Sequence, residues 1–180
     1  MPPTEPLQIH AAAFPAPFGQ VMAAAGDGGV LAIGIETRVG AAENSLLDWA
    51  RSLGANGTGE ILCSPDATLE RLGRALEDYF KRRLPIPPLP LDLRRGTPFQ
   101  RQVWQALCHI PHGETRSYQH LADQIGRPRA ARAVGQACGR NPIPILVPCH
   151  RVITSSGRLG GFSSGLAVKR SLLDLEQPPA

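Results

Sequence analysis

The chain has 180 residues, of which 42% are hydrophobic, and its formal net charge is +4 at pH 7. This composition excludes a disordered chain and allows one medium domain or two small ones. No apolar stretch approaches the roughly 20 residues of a membrane-spanning helix, so we expect no membrane association. The slight positive charge is compatible with nucleic-acid binding but is not diagnostic of it.

The N-terminal residues and the cysteines bear on the compartment and on metal binding. Residues 1–6 have neither the basic nor the apolar segment of a signal peptide, so we expect a cytosolic protein. The chain contains four cysteines, Cys63, Cys108, Cys138 and Cys149. No two of them form a C-x-x-C pair, which argues against zinc ribbons and redox motifs, and we expect no metal and no cofactor.

The first part of the chain predicts a small α+β domain over residues 1–84. Two apolar strands are predicted at residues 19–25 and 30–35, with a hairpin turn at Asp27-Gly28-Gly29 between them. A short helix is predicted over residues 44–53.

A longer helix is predicted from Asp66 to about Lys81. Ser64 can cap this helix, and Pro65 suits its first position. Its apolar stripe consists of Leu69, Leu72, Leu76, Tyr79 and Phe80.

A proline-rich segment divides the chain. Four prolines, at positions 85, 87, 88 and 90, exclude a helix or a central strand. We therefore predict a stiff linker over residues 85–91, a second domain over residues 92–176 and a tail over residues 177–180. The fold class is α+β, with a sheet-plus-helix N-terminal domain and a mostly helical C-terminal domain.

Three helices are predicted in the second domain. Thr97 to Gln100 forms a capping box, and the helix that follows should bury Phe99, Val103 and Leu107. Ser117 can cap the second helix, which ends at Gly126. The third helix is predicted over residues 128–139 after a turn of two or three residues, which indicates a helix-turn-helix.

The third helix has little side-chain bulk apart from its arginines. Such a helix could approach the minor groove of DNA closely, or it could pack tightly inside the protein. The surrounding sequence, from Arg94 to Arg151, has nine arginines and only two acidic residues, Glu114 and Asp123. This half could carry a basic surface, although a solvated arginine face explains the composition equally well.

An apolar segment, residues 143–147, precedes Pro148-Cys149-His150-Arg151. A cysteine nucleophile needs its thiolate form, which a nearby base or cation favours. Adjacent residues of a strand point to opposite faces, so His150 could serve Cys149 only if the chain turns there or a water bridges them. This geometry argues against a thiol hydrolase.

Motifs along the second half resemble the O6-alkylguanine-DNA alkyltransferases, also called methylated-DNA–protein-cysteine methyltransferases. They cover roughly residues 92–176 in one order and spacing, and the Pro148 to Val152 element is the most specific. The matching motifs are Gly96-Thr97-Pro98-Phe99-Gln100, Val103-Trp104, Thr115-Arg116-Ser117-Tyr118, Arg132-Ala133-Val134-Gly135, Asn141-Pro142, Pro148-Cys149-His150-Arg151-Val152, Gly157, Gly160-Gly161-Phe162, Gly165, Lys169, Leu172-Leu173 and Glu176.

The resemblance implies catalytic roles for five residues. Cys149 would be the nucleophile and permanent acceptor, and His150 the base, acting through a water and polarised by Glu176. Asn141 would brace the turn before the site. Tyr118 would rotate the target's phosphate and protonate the departing guanine.

The resemblance also implies contacts to DNA and to the extruded base. Arg132 would fill the stack that the base has left, and Ala130, Ala131, Ala133, Gly135 and Gln136 would lie against the minor groove. Arg151 is assigned to the DNA-binding set. The substrate pocket is assigned to Val152, Phe162, Ser163 and Pro144, with the carbonyls of Cys149 and Val152 accepting from the base's amine and the Ser163 N–H facing O6.

The implied function is direct, single-turnover repair of O6-alkylguanine, and of O4-alkylthymine as well, in double-stranded DNA. The expected protein is a monomer that could assemble cooperatively on DNA. Phe162 departs from the tyrosine of some family members and removes a hydroxyl from the pocket wall. The alternatives are a non-catalytic damage-binding protein, a helix-turn-helix regulator and a thiol hydrolase. The retained Cys149, His150 and Glu176 argue against the first.

Overall fold

The computed structural model describes residues 8–37, 44–53 and 60–177. The chain forms two compact units, Met1–Asp92 and Leu93–Ala180. The predictions for residues 1–6 and for most of the C-terminal tail fall outside the described residues.

The first unit contains a four-stranded sheet flanked by two helices. The sheet has the order β3-β2-β1-β4, in which β1 pairs antiparallel with β2, β2 antiparallel with β3, and β1 parallel with β4. The strands are β1 (Gln8–Ala16), β2 (Gly19–Gly26), β3 (Gly29–Glu36) and β4 (Glu60–Leu62). The helices are α1 (Asn44–Leu53) and α2 (Ala67–Arg82). The predicted β2–β3 hairpin and α1 are confirmed, whereas β1 and β4 were not predicted.

Strand β1 tolerates a proline because no strand of the described residues pairs with it there on the side away from β2. Pro15 pairs with Gln20 of β2. On the other side, β4 pairs only with Gln8, Ile9 and His10. A proline next to an open edge removes no ladder hydrogen bond from a neighbouring strand.

Helix α2 begins later than predicted. Its N-cap is Asp66, whose carboxylate accepts from the Leu69 N–H at 2.8 Å. The prediction of Ser64 as cap and Pro65 as first helical residue is therefore wrong, because Asp66 is the equally good capping residue nearest to the helical stripe. Leu69, Leu72 and Leu76 are buried as predicted.

The end of the proline-rich segment lies along strand β3. Val30 donates its N–H to the Pro90 carbonyl at 2.9 Å and accepts from the Asp92 N–H at 2.8 Å. Gly29 has a φ of +102°, and a Cβ on it would lie 2.2 Å from the Pro90 oxygen. A residue without a side chain is therefore required where the segment passes.

The second unit is built on four helices. These are α3 (Pro98–Cys108), α4 (Tyr118–Gln124), α5 (Ala131–Gly139) and α6 (Leu166–Glu176). A two-stranded parallel pair, β5 (Arg116–Ser117) and β6 (Val152–Ile153), joins their connections. The predicted α+β class is confirmed.

Helix α3 begins as predicted and packs differently from the prediction in one position. Both bonds of the Thr97–Gln100 capping box are present. Val103 and Leu107 are buried, but Phe99 is only partly buried and Ala106 lies in the core instead. Trp104 donates its indole N–H to the Ala137 carbonyl at 2.9 Å and so ties α3 to α5.

Helices α4 and α5 form the predicted helix pair with a longer connection. Ser117 caps α4 by accepting from the His120 N–H at 3.0 Å, and Gly126 follows the helix with a φ of +71°. Helix α5 begins at Ala131 rather than Pro128, after a connection over residues 125–130. The Arg127–Ala130 turn bond takes up the residues that we assigned to the first helical turn.

Candidate active site

Cys149 lies in a tight turn at the end of a buried approach. Ile143, Ile145 and Val147 are buried, and the Cys149 N–H donates to the Val147 carbonyl at 2.8 Å. Residues Cys149–Arg151 form a 3-10 helix. Cys149 therefore does not lie in a strand. Because the chain turns here, Cys149 and His150 need not point to opposite faces, as neighbouring residues of a strand do.

The Asn141 side chain holds the approach and the sulfur together. Its amide donates to the Val147 carbonyl at 2.7 Å and to the Cys149 Sγ at 3.1 Å. Its oxygen accepts from the Ile143 N–H at 3.0 Å. Asn141 therefore braces the turn, and it also gives the sulfur a donor that favours the thiolate.

His150 is bound to a buried carboxylate. Its Nε2 lies 2.8 Å from Glu176 Oε1, and both side chains are almost fully buried. Because a carboxylate only accepts, Nε2 carries the proton and Nδ1 has the free electron pair. Nδ1 is buried, and none of the described residues supplies it with a hydrogen-bond partner.

Arg151 completes the carboxylate's surroundings. Its Nε donates to Glu176 Oε2 at 2.8 Å and its Nη2 to Oε1 at 2.9 Å. Its Nη1 donates to the Ile110 carbonyl at 2.6 Å, and only 12% of the side chain is exposed. We therefore correct the assignment of Arg151 to the DNA-binding set, because its guanidinium is used inside the protein as the clamp on Glu176.

Burial shifts the pKa values of Cys149 and His150 in opposite directions. It raises the pKa of the Cys149 thiol, while the Asn141 amide and the Lys169 ammonium act to lower it. Burial lowers the pKa of His150, against the raising effect of Glu176. The histidine is therefore neutral at neutral pH and able to accept the cysteine's proton.

Cys149 opens onto a cavity of about 370 Å³. The cavity is lined by Tyr118, Arg132, Gly135, Gln136, Cys138, Gly139, Cys149, Gly161 and Phe162. The structure thus brings together residues from α4, α5, the 3-10 turn and the segment before α6. The Cys149 thiol and the Arg132 side chain therefore line one space.

Three residues assigned to the substrate pocket are not among those that line this cavity. Pro144 and Val152 are buried, and Ser163 is exposed; none of the three lines the cavity. The two carbonyls assigned to the base's amine each already accept one bond, Cys149 O from the Val152 N–H and Val152 O from Lys169 Nζ at 2.6 Å. Only Phe162 of the four assigned pocket residues lines the cavity.

Tyr118 is wedged between α5 and the segment before α6. A Cβ on Gly135 would lie 3.7 Å from its ring, and one on Gly160 would lie 2.7 Å from its hydroxyl. Burial, together with the neighbouring Cys138 and Cys149, raises the pKa of Tyr118 to about 12. Its hydroxyl is therefore protonated at neutral pH and available as a donor.

Helix α5 has one face packed in the protein interior and another that is at least partly exposed. Val134, Ala137 and Cys138 pack inward. Arg132 and Gln136 are exposed, whereas Ala130, Ala131, Ala133 and Gly135 are partly buried. One face of the helix thus packs in the core, and the other carries the exposed Arg132 and Gln136 beside the cavity.

Known proteins share the sequence and the fold of this chain. A family profile described as "6-O-methylguanine DNA methyltransferase, DNA binding domain" matches residues 98–178. A methylated-DNA–protein-cysteine methyltransferase of Mycobacterium tuberculosis is 58% identical over 105 residues, 58% of this chain and 63% of that protein. This alignment spans slightly less than two thirds of that relative.

A second relative matches over more of its length. The inducible methylated-DNA–protein-cysteine methyltransferase of Bacillus subtilis is 42% identical over 132 residues, 73% of this chain and 72% of that protein. The chain belongs to the methylated-DNA–protein-cysteine methyltransferase family. A solved structure of Mycobacterium tuberculosis OGT in complex with DNA has 39% identity and a TM-score of 0.74, with 93% of this chain and 92% of that chain covered. The resemblance inferred from the motifs is confirmed.

In this member of the family, Lys169 was matched by sequence but given no role. It is fully buried, and its Nζ donates to the carbonyls of Val152, Leu159 and Gly161. It thereby ties the strand after Cys149 to the segment that forms a cavity wall. The available signal was a lysine on the buried face of α6, alongside Val168 and Leu172.

Cys138 is a second thiol on the cavity wall that the sequence did not single out. Burial raises its pKa to about 12, and the neighbouring Cys149 raises it as well. Unlike Cys149, it has no side-chain amide among its pKa-lowering neighbours. Of the two thiols that line this cavity, Cys149 is the one that receives a hydrogen bond from a side-chain amide.

The described residues contain neither a metal-binding cluster nor a membrane-spanning helix. Within residues 8–37, 44–53 and 60–177, no three His, Cys, Asp or Glu side chains are grouped as metal ligands would be. Over the same residues, no helix combines the length and apolar character needed to cross a membrane.

Proposed function

We propose that this protein repairs DNA by moving an alkyl group from O6 of guanine onto its own Cys149. The observation that carries the proposal is the Cys149 sulfur on a cavity wall, next to a histidine whose Nε2 is fixed on Glu176 and whose Nδ1 remains available. A nucleophile, a base and an orienting carboxylate are thus arranged in order. The names of the Mycobacterium tuberculosis and Bacillus subtilis relatives support the same reaction.

The first step is activation of the thiol. A water between the Cys149 Sγ and the His150 Nδ1 passes the thiol proton to the histidine. Glu176 accepts from Nε2 at 2.8 Å and stabilises the imidazolium that results. A buried nitrogen requires such a hydrogen-bond partner, which supports the bridging water.

The second step is transfer. The thiolate attacks the alkyl carbon, an S–C bond forms, and the C–O6 bond breaks with its electrons remaining on guanine. The Tyr118 hydroxyl donates a proton to the departing base, and the tyrosine later regains one from solvent. The thioether that forms on Cys149 is not hydrolysed by water, so each molecule acts once.

The base has to leave the duplex to reach Cys149. Extrusion costs a few kcal/mol, and less for a poorly paired alkylated guanine. Arg132 stands exposed at the cavity and can occupy the gap in the stack. The small residues of α5 suit a close approach to the minor groove of DNA. The affinity for DNA should then depend on salt and hardly on sequence. The structure of the Mycobacterium tuberculosis OGT in complex with DNA supports DNA as the partner.

The test is mass spectrometry of the intact protein and its peptides after mixing with a duplex that contains O6-methylguanine. We expect one methyl group per protein on the Cys149 peptide, its absence in Cys149→Ser, and its retention in the matched control Cys138→Ser. A methyl group on Cys138 would show that the assignment of Cys149 as acceptor is wrong. Tight binding with no change in mass would indicate a damage-binding protein instead.

Several finer predictions stay predictions. They are the monomeric state, activity on O4-alkylthymine, a cytosolic location and the domain limits at residues 85–91. Sedimentation of the protein with and without duplex would test the first.

A further inference from the structure

A second histidine faces the carboxylate that orients His150. His112 Nδ1 lies 3.9 Å from Glu176 Oε1, the same oxygen that His150 Nε2 approaches to 2.8 Å. The His112 side chain is 19% exposed, so protons can reach it from solvent. Neither step of the proposed reaction uses this residue.

The turn that carries His112 is docked against the site on both sides. Before it, the Ile110 carbonyl accepts from Arg151 Nη1 at 2.6 Å. After it, the Gly113 N–H donates to Glu176 Oε2 at 3.3 Å. Gly113 has a φ of +79°, and a Cβ on it would lie 3.0 Å from the Glu176 carbonyl oxygen. These contacts hold the backbone on both sides of His112 against the site.

We propose that His112 is a positioning residue that makes alkyl transfer sensitive to pH through Glu176. This inference rests on the proposed function. Neutral His112 leaves Oε1 to His150. Protonated His112 places a cation beside that oxygen, where it offsets the carboxylate's charge and repels the imidazolium that His150 must become.

The other charged groups near His112 determine how much negative charge Glu176 presents to His150. Glu176 faces it from α6, and His150 and Arg151 lie across the carboxylate on the 3-10 turn. Arg151 already contributes one positive charge to Glu176, so a second cation leaves less negative charge for His150. Glu114, on the same turn as His112, pairs with Arg116 at 2.6 Å instead.

The sign of the effect follows from the charge. Histidine is the side chain that gains a proton as pH falls from about 8 to 5. A cation at position 112 therefore slows the reaction. Towards acid pH we expect the wild-type rate to fall about three- to tenfold more than that of a variant without an ionisable group at position 112.

The experiment compares pH–rate profiles of His112→Phe, His112→Gln and the wild type. Single-turnover methyl transfer from the O6-methylguanine duplex is measured alongside alkylation of Cys149 by iodoacetamide, which needs the thiolate but no DNA. His109→Gln is the matched control, since His109 is exposed and bonds to the Gln105 carbonyl at 2.8 Å on α3.

A weaker loss of rate at acid pH in both His112 variants, in both assays and not in His109→Gln, would support the role. An unchanged profile, or a loss by the same factor at every pH, would overturn it. If the wild type transfers no methyl group even at alkaline pH, the proposed function fails. The iodoacetamide profiles would then still decide the role of His112.

Discussion

The hydroxyl of Tyr118 occupies the space that a side chain on Gly160 would need. A Cβ at position 160 would lie 2.7 Å from that oxygen, and the Gly160 φ of +68° already favours glycine. The proposed proton donor is therefore placed by an absent side chain on another segment. We expect Gly160→Ala to displace Tyr118 and to slow single-turnover transfer about tenfold or more, measured by rapid quench.

Gly157→Ala separates this displacement from backbone strain. Gly157 has a similar φ of +80°, but a Cβ there would meet nothing within 4 Å. Both substitutions should cost about 1–2 kcal/mol of unfolding free energy. Only Gly160→Ala should slow transfer, and equal slowing in the two variants would show that strain rather than contact with Tyr118 is responsible.

Glu176 serves His150 and Arg151 with one carboxylate, so its charge matters to both function and stability. In Glu176→Gln the neutral amide polarises His150 less and leaves Arg151 without a buried counter-charge. We expect transfer to slow by about 10–100-fold and unfolding free energy to fall by about 3 kcal/mol. Denaturant titration and rapid quench measure the two effects.

Glu114→Gln is the matched control for that substitution. Glu114 pairs with Arg116 at 2.6 Å, but both side chains are substantially exposed. Its loss should cost less than about 1 kcal/mol and leave the transfer rate unchanged. If Glu176→Gln behaves in the same way, the carboxylate does not polarise His150.

Local signals in the sequence account for much of the fold, and non-local contacts account for the errors. The capping box at Thr97 and the hairpin at Asp27-Gly28 depend on neighbouring residues and were predicted correctly. Strand β1 was not predicted, because its Pro15 is acceptable only next to an open sheet edge. An edge is a property of the assembled sheet and cannot be read from the strand alone.

The candidate site, too, could be predicted only in part from the sequence. Motif resemblance singled out Cys149, His150 and Glu176, and the structure brings these three together. Resemblance could not reveal that Arg151 faces inward, since a motif match does not show where a side chain points. The buried lysine at position 169 and the His112 contact likewise depend on how separate segments meet.

The Asn141 amide bond to sulfur predicts a defined shift of the thiol's titration. Removing this donor in Asn141→Ala should raise the pKa of Cys149 further, because the amide acts to lower it. A higher pKa leaves less thiolate at neutral pH, so reactivity should fall about three- to tenfold there and recover as pH rises. Ultraviolet absorbance of the thiolate, with Cys149→Ser as blank, reports the pKa directly.

The same substitution loosens the loop, and the pH profile distinguishes the two effects. Asn141 also bonds to Val147 and Ile143, and we expect its loss to cost about 1–3 kcal/mol of unfolding free energy. A loosened loop would reduce reactivity at every pH. If reactivity does not recover at alkaline pH, the amide acts through structure alone and not on the sulfur.

Arg132 is exposed on α5 at the mouth of the cavity, which predicts that it acts on DNA and not on the chemistry. In Arg132→Ala, transfer from an O6-methylguanine duplex should slow about tenfold or more, because the gap left by the extruded base is no longer filled. Transfer from the free base O6-methylguanine should be unchanged, since that substrate has no stack to fill. Arg71→Ala, an exposed arginine of α2, removes the same charge and should leave both rates at the wild-type value. An equal loss on duplex and free base in Arg132→Ala would place this arginine in the reaction itself and would contradict its assignment to base extrusion.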